Sequence, residues 1–173
     1  MRNFILLFLT LFVCKTSYGQ NKVKQIHLTW DAFKNDKPLS AKFDAKTWYH
    51  LNYYYRVRGV VKNRIKLDFD VRLFLDTAES YFDFNTKYKN LRLLNHEQGH
   101  ADIGFIYANK LQHTLQKHVY YKKDFTVEMK KIFDSILMQM TLENRKYDVE
   151  SNYGFDNVGQ NKWDNYFKLN TEK

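Results

Sequence analysis

The stretch LLNHEQGHADIGFIYANKL, residues 93–111, decides the fold, because here the chain changes from a strand-like to a helical pattern. Apolar and histidine side chains recur at steps of three and four residues, which is typical of one face of an amphipathic helix. That face carries Leu93, His96, His100, Ile103, Tyr107 and Leu111. The helical period starts at about Lys87, and we predict a long first helix from there.

Before this helix the hydrophobic pattern has a period of two, which indicates half-buried strands. The clearest run places Ile65, Leu67, Phe69, Val71 and Leu73 in alternation with Lys66, Asp68, Asp70 and Arg72. An earlier strand carries Tyr49, Leu51, Tyr53 and Tyr55. The polar residues 61–64, VKNR, supply a turn, so the two runs form a hairpin. Shorter strands at residues 23–28 and 73–75 are expected to extend it.

After the first helix, a second helix is predicted from a cap at Asp124 to about Tyr147. Residues 147–160 are expected to form a loop, and residues 160–167 a last short helix. Strands therefore precede helices, which favours an α+β domain over a doubly wound α/β domain. The predicted fold is a small antiparallel sheet followed by two long helices, the first of which carries His96 and His100.

The N-terminus predicts export from the cytoplasm. A basic start precedes an apolar run of about eleven residues, too short to span a bilayer core, and small residues follow it up to Gly19. We therefore interpret residues 1–19 as a signal peptide, with cleavage near Gly19, and residues 20–173 as one secreted or periplasmic domain. Lipid attachment at Cys14 is the alternative. Cleavage would remove the only cysteine, which excludes cysteine catalysis.

The chain is basic, with a formal net charge of +9. Removal of residues 1–19, which contain Arg2, Lys15 and no acid, lowers this charge to +7. Such an excess favours loose association with an anionic cell envelope. Because the cations are scattered and no nucleic-acid motif is present, a nucleic-acid partner is not expected.

His96-Glu97-Gln98-Gly99-His100 has the H-E-x-x-H pattern of zinc hydrolases. Four residues turn a helix by about 400°, so the two histidines project from nearly the same face and can share one zinc ion. Glu97 lies about 100° around the helix from His96, where its carboxylate can act as a general base on a water that zinc activates. Two histidines that merely share a buried helical face are the alternative interpretation.

A catalytic zinc site needs a third protein ligand. His113 and His118 follow too far along the chain, and we expect both to be exposed. The acids Asp148 and Glu150 converge with Tyr153 where the chain leaves the second helix and turns at Gly154. From the residues alone, each of these side chains remains a candidate.

These segments resemble a bacterial family, domain of unknown function 922, whose members are described as secreted zinc-dependent proteases. The resemblance covers most of the mature chain. LTWDAF (residues 28–33) is similar to the family's Thr-Trp-x-x-Phe signature, and residues 93–111 are similar to its zinc helix. YDVESNYG (147–154) and GQNKW (159–163) are similar to its C-terminal pattern. The resemblance implies a zincin-like fold in which the first long helix carries H-E-x-x-H, with His96 and His100 as zinc ligands and Glu97 as the base.

One departure from the family pattern affects the third ligand. Tyr153 stands where the family has a histidine, whereas Asp148 matches the family. The resemblance therefore implies Asp148 as the ligand, with Glu150 as the runner-up. A weaker similarity, to zinc proteases with an acid three residues before a Tyr-Gly pair, implies that Tyr153 donates to an oxyanion; direct ligation by its phenol is the other reading.

Two functions from different classes follow. The first is a zinc metalloendopeptidase that acts on a peptide or protein substrate. The second is a non-catalytic, envelope-associated binding domain that retains the H-E-x-x-H helix, with the many tyrosines of the first strand as its surface. Neither the substrate nor the oligomeric state follows from the sequence.

Overall fold

The computed structural model describes residues 22–85 and 91–171 and has the predicted α+β fold. The predicted signal peptide, Cys14 and the predicted helix start at Lys87 lie outside these residues. The described elements are β1 (Asn35–Asp36), β2 (Ala45–Lys46), β3 (Tyr49–Val61), β4 (Arg64–Leu75), β5 (Tyr81–Phe82), α1 (Leu91–Lys117), β6 (Tyr120–Tyr121), α2 (Phe125–Glu150) and α3 (Asn157–Thr171). A single 3-10 turn covers Trp30–Ala32. Within the described ranges, no helix has the length and apolar character needed to cross a membrane.

The long β3–β4 hairpin is the main part of the sheet, as the period of two predicts. β3 and β4 pair antiparallel from Tyr49 opposite Leu75 to Val61 opposite Arg64, and β6 adds to the other edge of β4. The turn lies at the predicted position, where Lys62 adopts a left-handed φ of 56°. The apolar residues of β4 face inward: Ile65, Phe69, Val71 and Leu73 are buried.

The strand predicted at residues 23–28 is wrong, because this segment pairs with a side chain instead of a strand. Gln98 of α1 accepts a hydrogen bond from the Leu28 amide at 2.8 Å and donates one to the Ile26 carbonyl at 2.8 Å. The segment thus lies against the helix without regular secondary structure. The strand predicted at residues 73–75 is the end of β4. A separate small sheet, in the order β1-β5-β2, has β1 parallel and β2 antiparallel to β5.

α1 packs its buried face on β4 and on both other helices. Its fully buried side chains include Ile103, Leu111 and Leu115, which join the core formed with β4 and α2. His113 and His118 are exposed, as predicted. The C-terminal half of α1 therefore belongs to the hydrophobic core, whereas its N-terminal half carries the histidines.

α2 and α3 are both longer than predicted. α2 continues through Glu150 instead of ending near Tyr147, and α3 starts at Asn157 instead of Gln160. Asp124 occupies the N-cap position of α2, but its side chain makes no capping hydrogen bond. The predicted loop is reduced to the residues between Glu150 and Asn157, and this places Asp148 on a helix.

Candidate metal centre

His96 and His100 lie one turn apart on α1 and face the same space. Their ring centroids are 4.9 Å apart, and the rings are nearly perpendicular. His96 is buried with 3% of its surface exposed. The two Nε2 atoms point toward α2, which crosses α1 at this level.

Asp148, in the last turn of α2, completes a group of three potential ligands. Its Oδ1 lies 3.1 Å from Nε2 of His100 and 3.4 Å from Nε2 of His96. One ligand atom from each of these three side chains lies within 4.8 Å of the other two. The structure therefore brings together the two histidines and the acid implied by the family resemblance.

Amide and hydroxyl groups orient the opposite nitrogen of each ring. Nδ1 of His100 lies 2.7 Å from Oδ1 of Asn144, whose Nδ2 donates to the Tyr49 hydroxyl at 2.8 Å. Nδ1 of His96 lies 3.4 Å from both Oε1 of Gln160 and Oγ of Ser151. The Ser151 hydroxyl donates its one proton to the Tyr147 carbonyl at 2.7 Å.

These contacts determine the tautomers of the two histidines. Oδ1 of Asn144 can only accept, and so can Oγ of Ser151 once its proton is used. Both Nδ1 atoms must therefore donate. In the neutral form of each ring the lone pair of Nε2 is then directed at the space beside Asp148, whereas a proton on Nε2 makes the ring cationic and is donated to Asp148. Metal-binding histidines are held in this way by the hydrogen bond at the nitrogen that does not bind metal.

Tyr147 supports the cluster from behind and is fully buried. Its hydroxyl donates to the His96 carbonyl at 3.0 Å and accepts from Nε2 of Gln160 at 2.8 Å. Its ring stacks on His96 with a centroid distance of 4.7 Å. Gly99 is required opposite Tyr147, because a Cβ at that position would collide with the phenol.

Electrostatics within the cluster favour a positive charge between the three side chains. Burial alone would raise the pKa of Asp148, but hydrogen bonds from His100 and His96 outweigh it and hold the pKa at about 2. Burial likewise opposes the charged form of His100, yet the hydrogen bond to Asp148 and the charge of Glu97 raise its pKa.

Glu97 is 3% exposed and lies beside the histidines on the wall of the same cavity. Its Oε2 is buried and has no hydrogen-bond partner among the described residues. A buried carboxylate oxygen without a partner is costly, since desolvation of a charge requires compensation. Its position thus matches a group whose partner is a bound molecule.

The cluster lies on the wall of a cavity of about 770 Å³. The wall is formed by the segment from Lys42 to Tyr49, by residues of α1 and α2, and by residues 153–155. Tyr153 lines the cavity, and its ring stacks on Phe43 with a centroid distance of 4.7 Å. Its φ of 53° is left-handed, a conformation that costs a non-glycine residue free energy and that often occurs at functional sites.

The remaining acids named from the sequence lie elsewhere. Glu150 accepts hydrogen bonds from Nζ of Lys162 at 2.9 Å and from Nε1 of Trp163 at 3.0 Å, and it is not part of the three-ligand group. Asp102 is buried and accepts from Gln25 and Gln98 at 2.8 and 2.9 Å. Its burial raises its pKa. Asp102 therefore has a structural position, about 200° around α1 from His100.

Sequence reasoning missed the side chains that support the cluster, namely Asn144, Tyr147, Ser151 and Gln160. Asn144 precedes Asp148 by four residues and so shares its helical face, a signal that required a longer α2. Gln160 is 64 residues from His96 in the chain. No sequence periodicity connects two residues on different helices at that separation.

A model of a family described as bacterial protein of unknown function (DUF922) matches residues 19–154 of the chain. The match includes α1 and α2 with all three potential ligands, and it ends before α3. No curated protein and no solved structure matches the chain.

Proposed function

The chain belongs to the DUF922 family of bacterial proteins, and we propose that it is a zinc-dependent metallopeptidase. One observation carries the proposal: one imidazole nitrogen from each of two histidines and one carboxylate oxygen lie within 4.8 Å of one another on the wall of a large cavity. Two histidines and a carboxylate are a donor set of catalytic zinc sites, in which the fourth position stays open to water or substrate.

The residues present fit a zinc ion. His96, His100 and Asp148 would hold it, and the hydrogen bonds at the two Nδ1 atoms fix the rings in the ligating orientation. When bound, zinc would supply Lewis-acid polarisation of the substrate carbonyl and would lower the pKa of water toward ~7. The lowered pKa of Asp148 keeps this side chain a carboxylate beside the two histidines, and a divalent cation bound there would balance its negative charge.

Glu97 would act as general base. Glu97 lines the cavity and its Oε2 has no hydrogen-bond partner among the described residues, so its carboxylate would take a proton from the attacking water and return it to the leaving amine. Tyr153 would donate a hydrogen bond from its hydroxyl to the oxygen that becomes negatively charged. Tyr153 lines the same cavity as Glu97, so one bound peptide can reach both.

The expected substrate is a peptide or protein outside the cytoplasm. The cavity wall combines large apolar side chains, such as Phe43, Leu93 and Met140, with the cations Lys42, Lys46 and Arg92. An extended peptide with apolar side chains suits such a wall. The signal peptide predicted at residues 1–19 and the basic charge of residues 20–173 support secretion or a periplasmic location, with loose envelope association.

The first test measures zinc in the purified mature domain and its dependence on the histidines. We expect about one zinc per chain by mass spectrometry, as for a single three-ligand site. His100→Ala should lose the metal. His113→Ala is the matched control, because His113 is an exposed histidine on the same helix, and it should retain the metal. Equal zinc content in both variants would contradict the proposed site.

The second test separates binding from catalysis. Glu97→Gln should keep the zinc and lose proteolysis by about 100-fold or more, since a positioned general base contributes on that scale. Undiminished proteolysis in Glu97→Gln would refute the mechanism. A wild-type domain that holds zinc but cleaves nothing, or that is metal-free with stability unchanged by His96→Ala, would favour the non-catalytic binding domain instead.

A further inference from the structure

We propose that Arg92 binds a carboxylate of the substrate and so determines specificity in this cavity. The inference rests on the proposed peptidase function and adds the class of substrate to it. The favoured peptides carry a carboxylate close to the cleaved bond, either as the C-terminal α-carboxylate or as the side chain of an acidic residue.

The position of Arg92 follows from the helix that carries the histidines. Arg92 precedes His96 by four residues, which puts it on the same face of α1 and about 6 Å nearer the helix N-terminus. Both residues line the cavity. A residue of an extended peptide spans about 3.4 Å, so a carboxylate at Arg92 lies within about two residues of a bond held at the histidines.

The guanidinium is held on the cavity wall by the loop that follows α2. Nε of Arg92 donates a hydrogen bond to the Gly154 carbonyl, and Cζ of the guanidinium lies 5.5 Å from the centre of the Phe155 ring. Gly154 in turn packs on His96, since a Cβ there would lie 2.9 Å from that of the histidine. Gly154 therefore links the guanidinium directly to the candidate metal centre.

Nη2 of Arg92 is buried without a hydrogen-bond partner among the described residues. No described carboxylate lies within ion-pair distance of Arg92. A buried guanidinium nitrogen without an acceptor is unfavourable, and the penalty is removed when a ligand supplies one.

The aspartates and the lysines of the cavity have partners already, whereas Oε2 of Glu97, an acceptor of the same sign as the ligand, has none among the described residues. Asp148 contacts the two histidines, and Asp44 pairs with Lys37 at 2.8 Å. Lys42 and Lys46 lie over the rings of Phe43 and Trp48. Of the three cations on this wall, Arg92 is thus the one with a buried donor that is fixed in place and lacks an acceptor.

A carboxylate is the acceptor that fits. A guanidinium presents paired N–H groups in the plane and spacing of a carboxylate, and with Nε occupied by Gly154 the Nη nitrogens remain for the ligand. A neutral amide offers a single oxygen and no charge. Substrate acids should therefore be discriminated from their amides.

The test compares two short peptide hydroxamates that differ only in a terminal carboxylate or carboxamide, titrated into zinc-loaded protein by calorimetry. Wild type should bind the acid about 10- to 100-fold more tightly, as expected for a charge-assisted hydrogen bond at a buried site. Arg92→Gln should reduce this ratio to about one at unchanged zinc content. Arg92→Lys, which keeps the charge but not the fork, should give an intermediate ratio.

The matched control is Lys46→Gln, which removes the same charge from the same wall and should leave the acid-to-amide ratio as in wild type. Loosening of residues 153–155 by the loss of Arg92 would weaken both hydroxamates equally, so the ratio distinguishes recognition from a structural role. A ratio near one in wild type, or an unchanged ratio in Arg92→Gln, would overturn the inference while leaving the metallopeptidase proposal intact.

Two further experiments distinguish a side-chain carboxylate from a C-terminal one, and a failure of this inference from a failure of the proposed function. Internal Glu against Gln in amide-capped hydroxamates tests side-chain acids, and a free against an amidated C-terminus tests the α-carboxylate. If the wild-type protein holds no zinc, the proposed function fails. The acid-to-amide binding ratio can still be measured on the metal-free protein, by NMR titration with N-acetyl dipeptides and with their C-terminal amides. An Arg92-dependent preference for the acid there supports carboxylate binding, and its absence refutes it.

Discussion

Asp148 and Glu150 are two carboxylates in the last turn of α2, yet they serve opposite sides of the helix. Asp148 contacts both histidines at 3.1 and 3.4 Å, whereas Glu150 contacts Lys162 and Trp163 of α3 at 2.9 and 3.0 Å. Two residues turn a helix by about 200°, so one acid faces the cavity and the other faces α3. Helical phase, and not the type of side chain, decides which acid can join the metal centre.

The same phase organises the whole end of α2. On the cavity side, Asn144 precedes Asp148 by one turn and holds His100, and Leu137 and Thr141 continue the stripe along the cavity wall. On the other side, Glu150 and its neighbours pack against α3. The cavity side is thus built for ligand geometry, and the α3 side for holding helices together.

The largest expected effect comes from Asp148→Asn, which removes the charged ligand at constant shape. Zinc affinity should fall by more than the ~100-fold that loss of an outer hydrogen-bond partner can cost. Competition titration against a zinc chelator dye measures the change, with Glu150→Gln as the matched control. Equal affinities in the two variants would abolish the distinction between the two acids.

Asn144→Leu is expected to have the next largest effect on zinc affinity, because it removes the oxygen that accepts from Nδ1 of His100 and orients its ring. Zinc affinity should fall about 10- to 100-fold, with the fold retained, as is usual for partners one shell beyond the metal. The same chelator titration applies. Gln139→Leu is the control, because Gln139 is a half-buried amide of the same helix that lies outside the cavity lining and bonds to Lys110 and Ser135. Unchanged zinc binding in Asn144→Leu would show that His100 needs no such support.

The sequence could predict the histidine pair and the hairpin but not the geometry of the third ligand. Periodicity is local, so it found the face of α1 and the alternation of β4 directly. The helix stop at Tyr147 was wrong, although no glycine or proline occurs between Phe125 and Tyr153 to end α2. With α2 extended to Glu150, helical phase alone would have separated Asp148 from Glu150; only the family resemblance favoured Asp148.

The contacts of Gln160 and the packing of α3 could not be predicted from the sequence for a different reason. These contacts join helices far apart in the chain, and tertiary packing decides them. Gly159 shows the constraint: it fits against the end of α2 so closely that a Cβ would collide with the Glu150 carbonyl. A glycine in a helix is a weak local signal, and its function here appears only when the partner helix is present.

Gly159→Ala therefore tests the packing of α3 against the end of α2. Because the backbone of α2 blocks the added methyl group, α3 must shift, and the free energy of unfolding should fall by about 1–3 kcal/mol. Urea denaturation measures the loss. Val158→Ala, at an exposed neighbouring position, should change stability by less than about 0.5 kcal/mol. A Gly159→Ala protein as stable as wild type would mean that the two helices are not locked together here.

Glu150→Gln is expected to have the smallest effect on stability and on zinc affinity, and it tests whether Glu150 differs from Asp148 in function. The Lys162 pair is solvent-exposed and contributes little, and a glutamine oxygen can still accept from Nε1 of Trp163. The melting temperature should fall only slightly, and zinc affinity should stay within about twofold of wild type, because the side chain points away from the histidines. A clear loss of zinc in Glu150→Gln would instead place this acid, and not Asp148 alone, in the metal site.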